Sequence, residues 1–93
     1  MWVIGKNFIY RNSSGDMRVY TGTVDLSAGA VTDKTTDIVS TKTIYSVEYI
    51  DSSGIVITTG LGEPAITTSG GYYVISVYST SAQSSVNLRV IYR

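Results

Sequence analysis

The chain has 93 residues, seven basic and seven acidic side chains, and neither cysteine nor histidine. Its length is that of one small domain over residues 1–93, and the missing residue types exclude disulfides, catalytic sites built on histidine or cysteine, and the usual structural zinc sites. The balanced and scattered charges argue against nucleic-acid binding, and the formation of oligomers is the remaining way to add stability to so small a core.

The first predicted elements form a hairpin. Alternating apolar residues predict a strand over residues 2–11, and the Asn-Ser-Ser-Gly-Asp sequence at 12–16 is typical of a turn. Residues 17–26 predict the returning strand, in which Gly22 indicates a bulge or a bend. Because chain ends fray unless they are docked, residues 1–10 are either the first strand of the fold or an arm that contacts a partner.

The middle of the chain contains one clear strand, over residues 43–50. The polar, threonine-rich residues 31–42 before it predict a loop or a short edge strand. Asp-Ser-Ser-Gly at 51–54 predicts a tight turn, and residues 55–59 predict the strand that returns from it. One face of the clear strand carries Tyr45, Val47 and Tyr49.

The last third of the chain contains the strongest strand signals. Residues 60–64 include two glycines and a proline, which exclude a central strand. Residues 67–71 predict a turn. Apolar residues alternate over 72–79 and again over 85–93, so both segments predict strands with one apolar face.

These elements together predict an all-β fold. Turn signals about every 8–12 residues indicate an antiparallel β-sandwich of about six or seven strands, with an Ig-like or a jelly-roll topology. Thr68, Gly70 and Tyr72 have the spacing of a tyrosine corner, in which a tyrosine hydroxyl bonds to nearby backbone. Val74 stands where immunoglobulin domains carry a cysteine, so any Ig-like likeness is one of connectivity.

Carboxylate pairs are the remaining candidates for acid–base catalysis. The pairs are Glu48 with Asp51 and Asp33 with Asp37. Glu48 lies in mid-strand, Asp51 opens a turn, and a small domain has little room for a catalytic cleft. We therefore predict that the protein is not an enzyme.

Two possible ligand sites are weak. Asp25, Asp33 and Asp37 could bind calcium, but they lack the dense acidic spacing of an EF-hand loop. The Gly-Leu-Gly-Glu sequence at 60–63 lacks the spacing and the following helix of a phosphate-binding loop. We therefore predict no cofactor and no bound metal.

Tyrosine is the dominant aromatic residue, with eight copies. The neighbours Tyr72 and Tyr73 must point to opposite faces of their strand, so some of the rings are exposed. Exposed rings either pack across strands on a partly wet sheet, or form a subunit interface or a platform for sugars. The predicted interface residues are Trp2, Phe8, Tyr10, Tyr45, Tyr49, Tyr72 and Tyr78.

Four segments of the chain carry a resemblance to a known class of protein. They are GTVDLSAG at 22–29, TIYSVEYI at 43–50, GGYYVIS at 70–76 and VNLRVIYR at 86–93. In them the chain resembles the small β-sandwich structural proteins of tailed bacteriophage particles, such as capsid decoration (cement) proteins and accessory tail domains. The resemblance implies assembly onto a shell or tube as a trimer or other symmetric oligomer, and it assigns no functional residue.

The expected function is that of a non-enzymatic virion structural protein, above all one that decorates a capsid. Its partners would be a major capsid or tail protein, bound through strand edges and aromatic contacts, and further copies of the chain in a homo-oligomer. With neither a signal peptide nor an apolar run long enough to span a bilayer, we expect assembly in the host cytoplasm and no membrane partner. The alternative is a carbohydrate-binding or adhesion β-sandwich module whose tyrosines stack on sugars.

Overall fold

The computed structural model describes residues 17–93, which contain six β-strands and no helix. The predicted N-terminal strand and turn, the contact arm at 1–10, and the predicted interface residues Trp2, Phe8 and Tyr10 lie outside the described residues. The strands are β1 Arg18–Leu26, β2 Ala30–Val39, β3 Ile44–Ile50, β4 Ala65–Ser69, β5 Tyr72–Ser79 and β6 Gln83–Tyr92.

The strands form two three-stranded antiparallel sheets that pack together. Sheet A has the order β1-β6-β3 and sheet B has the order β2-β5-β4. Within residues 17–93 the central strands are therefore β6 and β5, and the other four strands lie at edges. The prediction of an all-β antiparallel sandwich is confirmed.

The core lies between the two sheets and follows the period-two alternation of the central strands. The alternation predicted for β5 and β6 is confirmed, because every second residue of each strand points inward. Val24 and Leu26, at the end of β1, complete the same core layer. The buried apolar cluster comprises Val24, Leu26, Ile38, Tyr49, Ile75, Val77, Val86, Leu88 and Val90.

A β-bulge changes the side-chain alternation at the start of β3. Ile44 pairs with Tyr92 and Ser46 pairs with the adjacent Ile91, which leaves Tyr45 as the extra residue. Because a bulge sets two residues against one, Ile44 packs on the core and Tyr45 is exposed. The prediction that Tyr45 shares the face of Tyr49 is therefore wrong.

β2 is longer than its composition predicts. The edge position expected for residues 31–42 is correct, but the strand has ten residues and is neither a loop nor short. Its inward positions next to β5 are largely polar and include Thr32, Lys34 and Thr36, so no apolar alternation marks it. Threonine is nevertheless a good strand former, and pairing with the central strand stabilises the extended backbone.

Two predicted elements between β3 and β5 are wrong. Residues 67–69 belong to β4, because the turn is only Gly70-Gly71, whose φ values of 62° and 89° suit a two-residue hairpin. The predicted strand over 55–59 is reduced to a single bridge between Val56 and Ile50. The chain leaves β3 there in order to cross to sheet B.

Gly22 is needed for space rather than for a bulge. It pairs regularly with Leu88, whereas the register shift of β1 lies between Val24 and Leu26. A Cβ atom on Gly22 would lie 2.5 Å from the hydroxyl of Tyr20, so the glycine makes room for that ring. The bulge or bend predicted at this glycine is therefore not found there.

Candidate protein-docking surface

The outer face of sheet B, which points away from the core, carries two apolar pairs across neighbouring strands. Val31 of β2 lies opposite Tyr78 of β5, and Val39 lies opposite Tyr72. Residues opposite each other in an antiparallel pair point to the same face, so each valine and tyrosine form one patch. All four side chains are substantially exposed, with Val31 at 60%.

The area between these two pairs is uncharged at its centre. Val74 of β5 points outward there but is only 9% exposed, because Thr35 of β2 and Thr67 of β4 flank it. Two residues further along each strand, Asp33 of β2 lies opposite Ser76 of β5. The outer face of sheet B is therefore an apolar and threonine-rich surface with two acidic residues of β2, Asp33 and Asp37, at exposed positions between its two tyrosines.

The outer face of sheet A is more polar, although Val19 of β1 lies opposite Ile91 of β6 there and forms an apolar pair. The guanidinium of Arg89 forms an ion pair with Glu48 and donates hydrogen bonds from Nε, at 2.9 Å, and from Nη2 to the same carboxylate oxygen. Thr21 pairs with Arg89 across β1 and β6, and Thr23 pairs with Asn87. The two outer faces thus differ in chemistry, and the more apolar one, with two valine–tyrosine pairs, belongs to sheet B.

The predicted interface tyrosines of β3 have different environments. Tyr45 is exposed, and the guanidinium carbon of Arg93 lies 5.7 Å from its ring centroid, which is a cation–π contact. Tyr49 is 4% exposed and belongs to the core, so its ring is not available to a partner. Of the predicted interface residues in the described part of the chain, Tyr72 and Tyr78 share one surface.

The carboxylates of Glu48 and Asp51, a pair considered for acid–base catalysis, have separate hydrogen-bond partners. Glu48 binds Arg89, and Asp51 accepts hydrogen bonds at 2.9 Å from the backbone N–H groups of Ser53 and Ile55. Each carboxylate is therefore engaged locally, one in a cross-strand ion pair and the other in closing a turn.

The acidic residues considered for calcium are separated. Asp25 accepts a 2.9 Å hydrogen bond from the backbone N–H of Ser85. Asp37 lies near Tyr20, whose pKa is raised first by burial and then by this negative charge. Within residues 17–93 no three acidic side chains are grouped closely enough to hold a metal ion.

The glycine-containing loop at 60–63 is bound to the end of β5. The backbone N–H of Gly62 donates to the carbonyl of Tyr78 at 2.8 Å, and that of Thr80 donates to the carbonyl of Gly60 at 2.9 Å. Gly60 has a φ of 81°, which favours glycine there. The loop holds the crossover between the sheets in place.

Among the described residues the hydroxyl that bonds to backbone here belongs to Tyr73, and its partner Lys42 lies 31 residues earlier in the chain, too far for the predicted tyrosine corner. Tyr72 is exposed on the outer face of sheet B. The neighbouring Tyr73 points the other way, and its hydroxyl donates a 2.6 Å hydrogen bond to the carbonyl of Lys42. The bond joins the start of β5 to the turn before β3 and so ties sheet B to sheet A.

A groove of about 220 Å³ lies between β3 and the crossover. Its volume is below the range of about 300–1,000 Å³ typical of small-molecule sites. The residues that line it are Val47, Glu48, Tyr49, Val56, Ile57, Thr58, Leu61, Gly62 and Pro64.

The comparisons with known proteins found no family model, no curated protein and no solved structure that matches the chain. In the described part of the chain there is also no helix that could cross a membrane. The chemistry of the surface is therefore the basis for a functional proposal.

Sequence reasoning missed two members of the docking surface, Val31 and Val39. Both lie in the segment expected to be a loop or a short strand, so their pairing with β5 could not be foreseen. The strand propensity of the threonines between them was the available signal.

Proposed function

We propose that the chain is a non-enzymatic structural protein that docks onto other proteins through the outer face of sheet B. The observation that carries the proposal is the pairing of exposed tyrosines with exposed valines at Val31–Tyr78 and Val39–Tyr72. Tyrosine is enriched at protein interfaces because its rigid ring buries a large area while its hydroxyl still forms hydrogen bonds.

The setting we propose is the particle of a tailed bacteriophage, with capsid decoration as the role. The sequence resemblance supports this setting, and the uncharged centre of the docking surface suits the fully buried middle of an interface, where charged residues are depleted. The partner would be a major capsid or tail protein, and strand edges would add main-chain hydrogen bonds to the aromatic contacts.

The carbohydrate-binding alternative has one favourable observation, which is that Tyr72 and Tyr78 are exposed on the same face. They lie on one strand about 20 Å apart, at about 3.3 Å per residue. One sugar ring cannot contact both, so this alternative requires a glycan chain of several rings.

Sedimentation of the chain with the products of its neighbouring genes tests the proposal. We expect the chain to move with an assembled capsid or tail protein and to bind no member of a glycan array. A chain that binds none of these proteins contradicts the docking role, and one that also binds an oligosaccharide supports the alternative.

A further inference from the structure

The four edge strands of the sandwich differ in how well they are protected against pairing with another strand. Exposed edges pair with further strands unless charges, bulges or covering segments prevent it. β1 carries Arg18, Asp25 and a register shift, and β2 carries three charged residues and a register shift. β3 carries Glu48 and a bulge, and residues 55–57 bond along it.

In the part of the chain that the structure describes, β4 has none of these devices. Its sequence Ala-Ile-Thr-Thr-Ser is uncharged, contains no proline, and pairs with β5 without a register shift. Within the described residues no strand pairs with its other side, and all five of its residues are exposed.

The core is also incompletely covered at this edge. Ile66 lies opposite Ile75, which is fully buried, so Ile66 points toward the core side of sheet B. Ile66 is nevertheless 45% exposed. A strand added beside β4 would therefore cover apolar surface as well as satisfy backbone groups.

We propose that β4 pairs with β4 of a second copy of this chain, antiparallel and with the two-fold axis at Thr67. In this register Thr67 faces Thr67 of the second copy, a favourable cross-strand pair, and Ile66 faces Thr68. The two sheets B then become one six-stranded sheet across the dimer.

The flanking residues are compatible with this register. Pro64, which lacks a backbone N–H, would face Gly70 of the second copy, beyond the paired strands. Glu63 would face Gly71, and the two Glu63 side chains would lie about 27 Å apart along the strands. No like charges oppose each other, so the second copy suits this edge.

The proposal goes beyond the docking function and is independent of it, because dimerisation requires no particle protein. Isologous pairing has two-fold symmetry and makes a dimer. The trimer implied by the resemblance would need a different surface.

Sedimentation velocity of the 93-residue chain tests the pairing at concentrations up to about 1 mM, where weak association is detectable. We expect a monomer–dimer equilibrium that Thr67→Lys weakens by about tenfold or more, since the two lysines would face each other. Thr35→Lys is the matched control. Thr67 of β4 and Thr35 of β2 both lie opposite Val74, but Thr35 is on the strand away from the β4 edge. A monomeric wild-type chain, or equal effects of both variants, would overturn the proposal. Thermal melts would show that both variants fold.

A disulfide test of the register uses the absence of native cysteine. Paired Cα atoms in an antiparallel ladder lie about 4.5–5.5 Å apart, within the range that a disulfide spans. With oxidised glutathione as the oxidant, we expect Thr67→Cys to form covalent dimers about tenfold faster than Thr35→Cys. Equal rates would contradict the register. If Thr67→Lys weakens binding to a particle protein more than Thr35→Lys does, while the wild-type chain alone stays monomeric, the edge binds that protein and not a second copy.

Discussion

The hydroxyl of Tyr49 is buried and has no hydrogen-bond partner among the described residues. A buried polar group without a partner loses its hydration and gains nothing in return. We therefore expect Tyr49→Phe to leave the free energy of unfolding unchanged or to raise it by up to about 1 kcal/mol, as measured by urea denaturation at neutral pH.

Tyr73→Phe is the matched control, because it removes the hydroxyl that donates to the carbonyl of Lys42. We expect this change to lower the free energy of unfolding by about 0.5–1.5 kcal/mol. Equal losses in both variants would show that the Tyr49 hydroxyl has a partner in solution.

Tyr49 should also make the free energy of unfolding depend on pH in the alkaline range. Burial raises the pKa of Tyr49 from 10.0 to about 12. The folded state therefore keeps this proton at pH values where the unfolded chain has lost it, and folding becomes less favourable as pH rises. The contribution is complete below about pH 10 and is lost progressively toward about pH 12. Urea titrations across this range should show a smaller fall for Tyr49→Phe than for the wild-type chain.

Ser85 is held in the left-handed region, with a φ of 57°, and the carboxylate of Asp25 accepts its backbone N–H. Glycine adopts this conformation without a Cβ penalty, so we expect Ser85→Gly to raise the free energy of unfolding by about 0.5–1 kcal/mol. The neighbouring Ser84→Gly should lower it by a similar amount, since Ser84 has no positive φ. Thermal melts of both variants check the opposite signs, and a loss at both positions would contradict the assigned backbone geometry.

At the scale of the elements, the side chain of Thr36 takes the place of backbone hydrogen bonds between β2 and β5, where the pairing shifts register between Thr35 and Val39. The hydroxyl of Thr36 donates to the carbonyl of Tyr73 at 2.8 Å and accepts from the backbone N–H of Ile38 at 3.1 Å. Thr36 is buried. Thr36→Val keeps the shape but leaves both backbone groups without this partner, so we expect a loss of about 1–3 kcal/mol by urea denaturation.

Thr35→Val is the control for this prediction. Thr35 is exposed on the outer face and pairs in register with Val74. The stability of this variant should stay within about 0.5 kcal/mol of the wild-type chain. Equal effects at both positions would show that the Thr36 hydroxyl does not hold the irregular pairing together.

The predictable elements are those whose inward residues are apolar. The strands β5 and β6 follow from the alternation of Ile75 and Val77 and of Leu88 and Val90. β2 could not be recognised in this way because it places threonine and lysine inward beside the central strand. The β4 residues are all exposed, so neither face shows a core pattern, and the two-residue turn after them depends on positive φ at both glycines.

The tyrosines of the candidate docking surface were predictable only where the alternation along a strand determines which face a side chain occupies. Alternation along β5 places Tyr72 and Tyr78 outward, as the structure shows. The exposure of Tyr45 depends on a bulge that strand alternation does not reveal. The burial of Tyr49 depends on how the two sheets pack, which a single sequence does not specify.

At the scale of the whole molecule, the sandwich presents two outer faces of different chemistry. Sheet A offers threonines, an asparagine and the Glu48–Arg89 ion pair, and sheet B offers valine–tyrosine pairs. Val31, which belongs to one of these pairs, is 60% exposed, and Val19 on the outer face of sheet A is nearly as accessible, at 58%. This equivalence allows the same substitution to be compared on the two faces.

The dissociation constants of Val31→Lys and Val19→Lys for the assembled particle protein test the docking claim most directly. A lysine at the apolar face must be desolvated on binding, so we expect Val31→Lys to weaken binding by about tenfold or more. Val19→Lys should bind as the wild-type chain does, and thermal melts should be similar for both variants. Equal affinities for the two variants, or a loss confined to Val19→Lys, would contradict docking through sheet B.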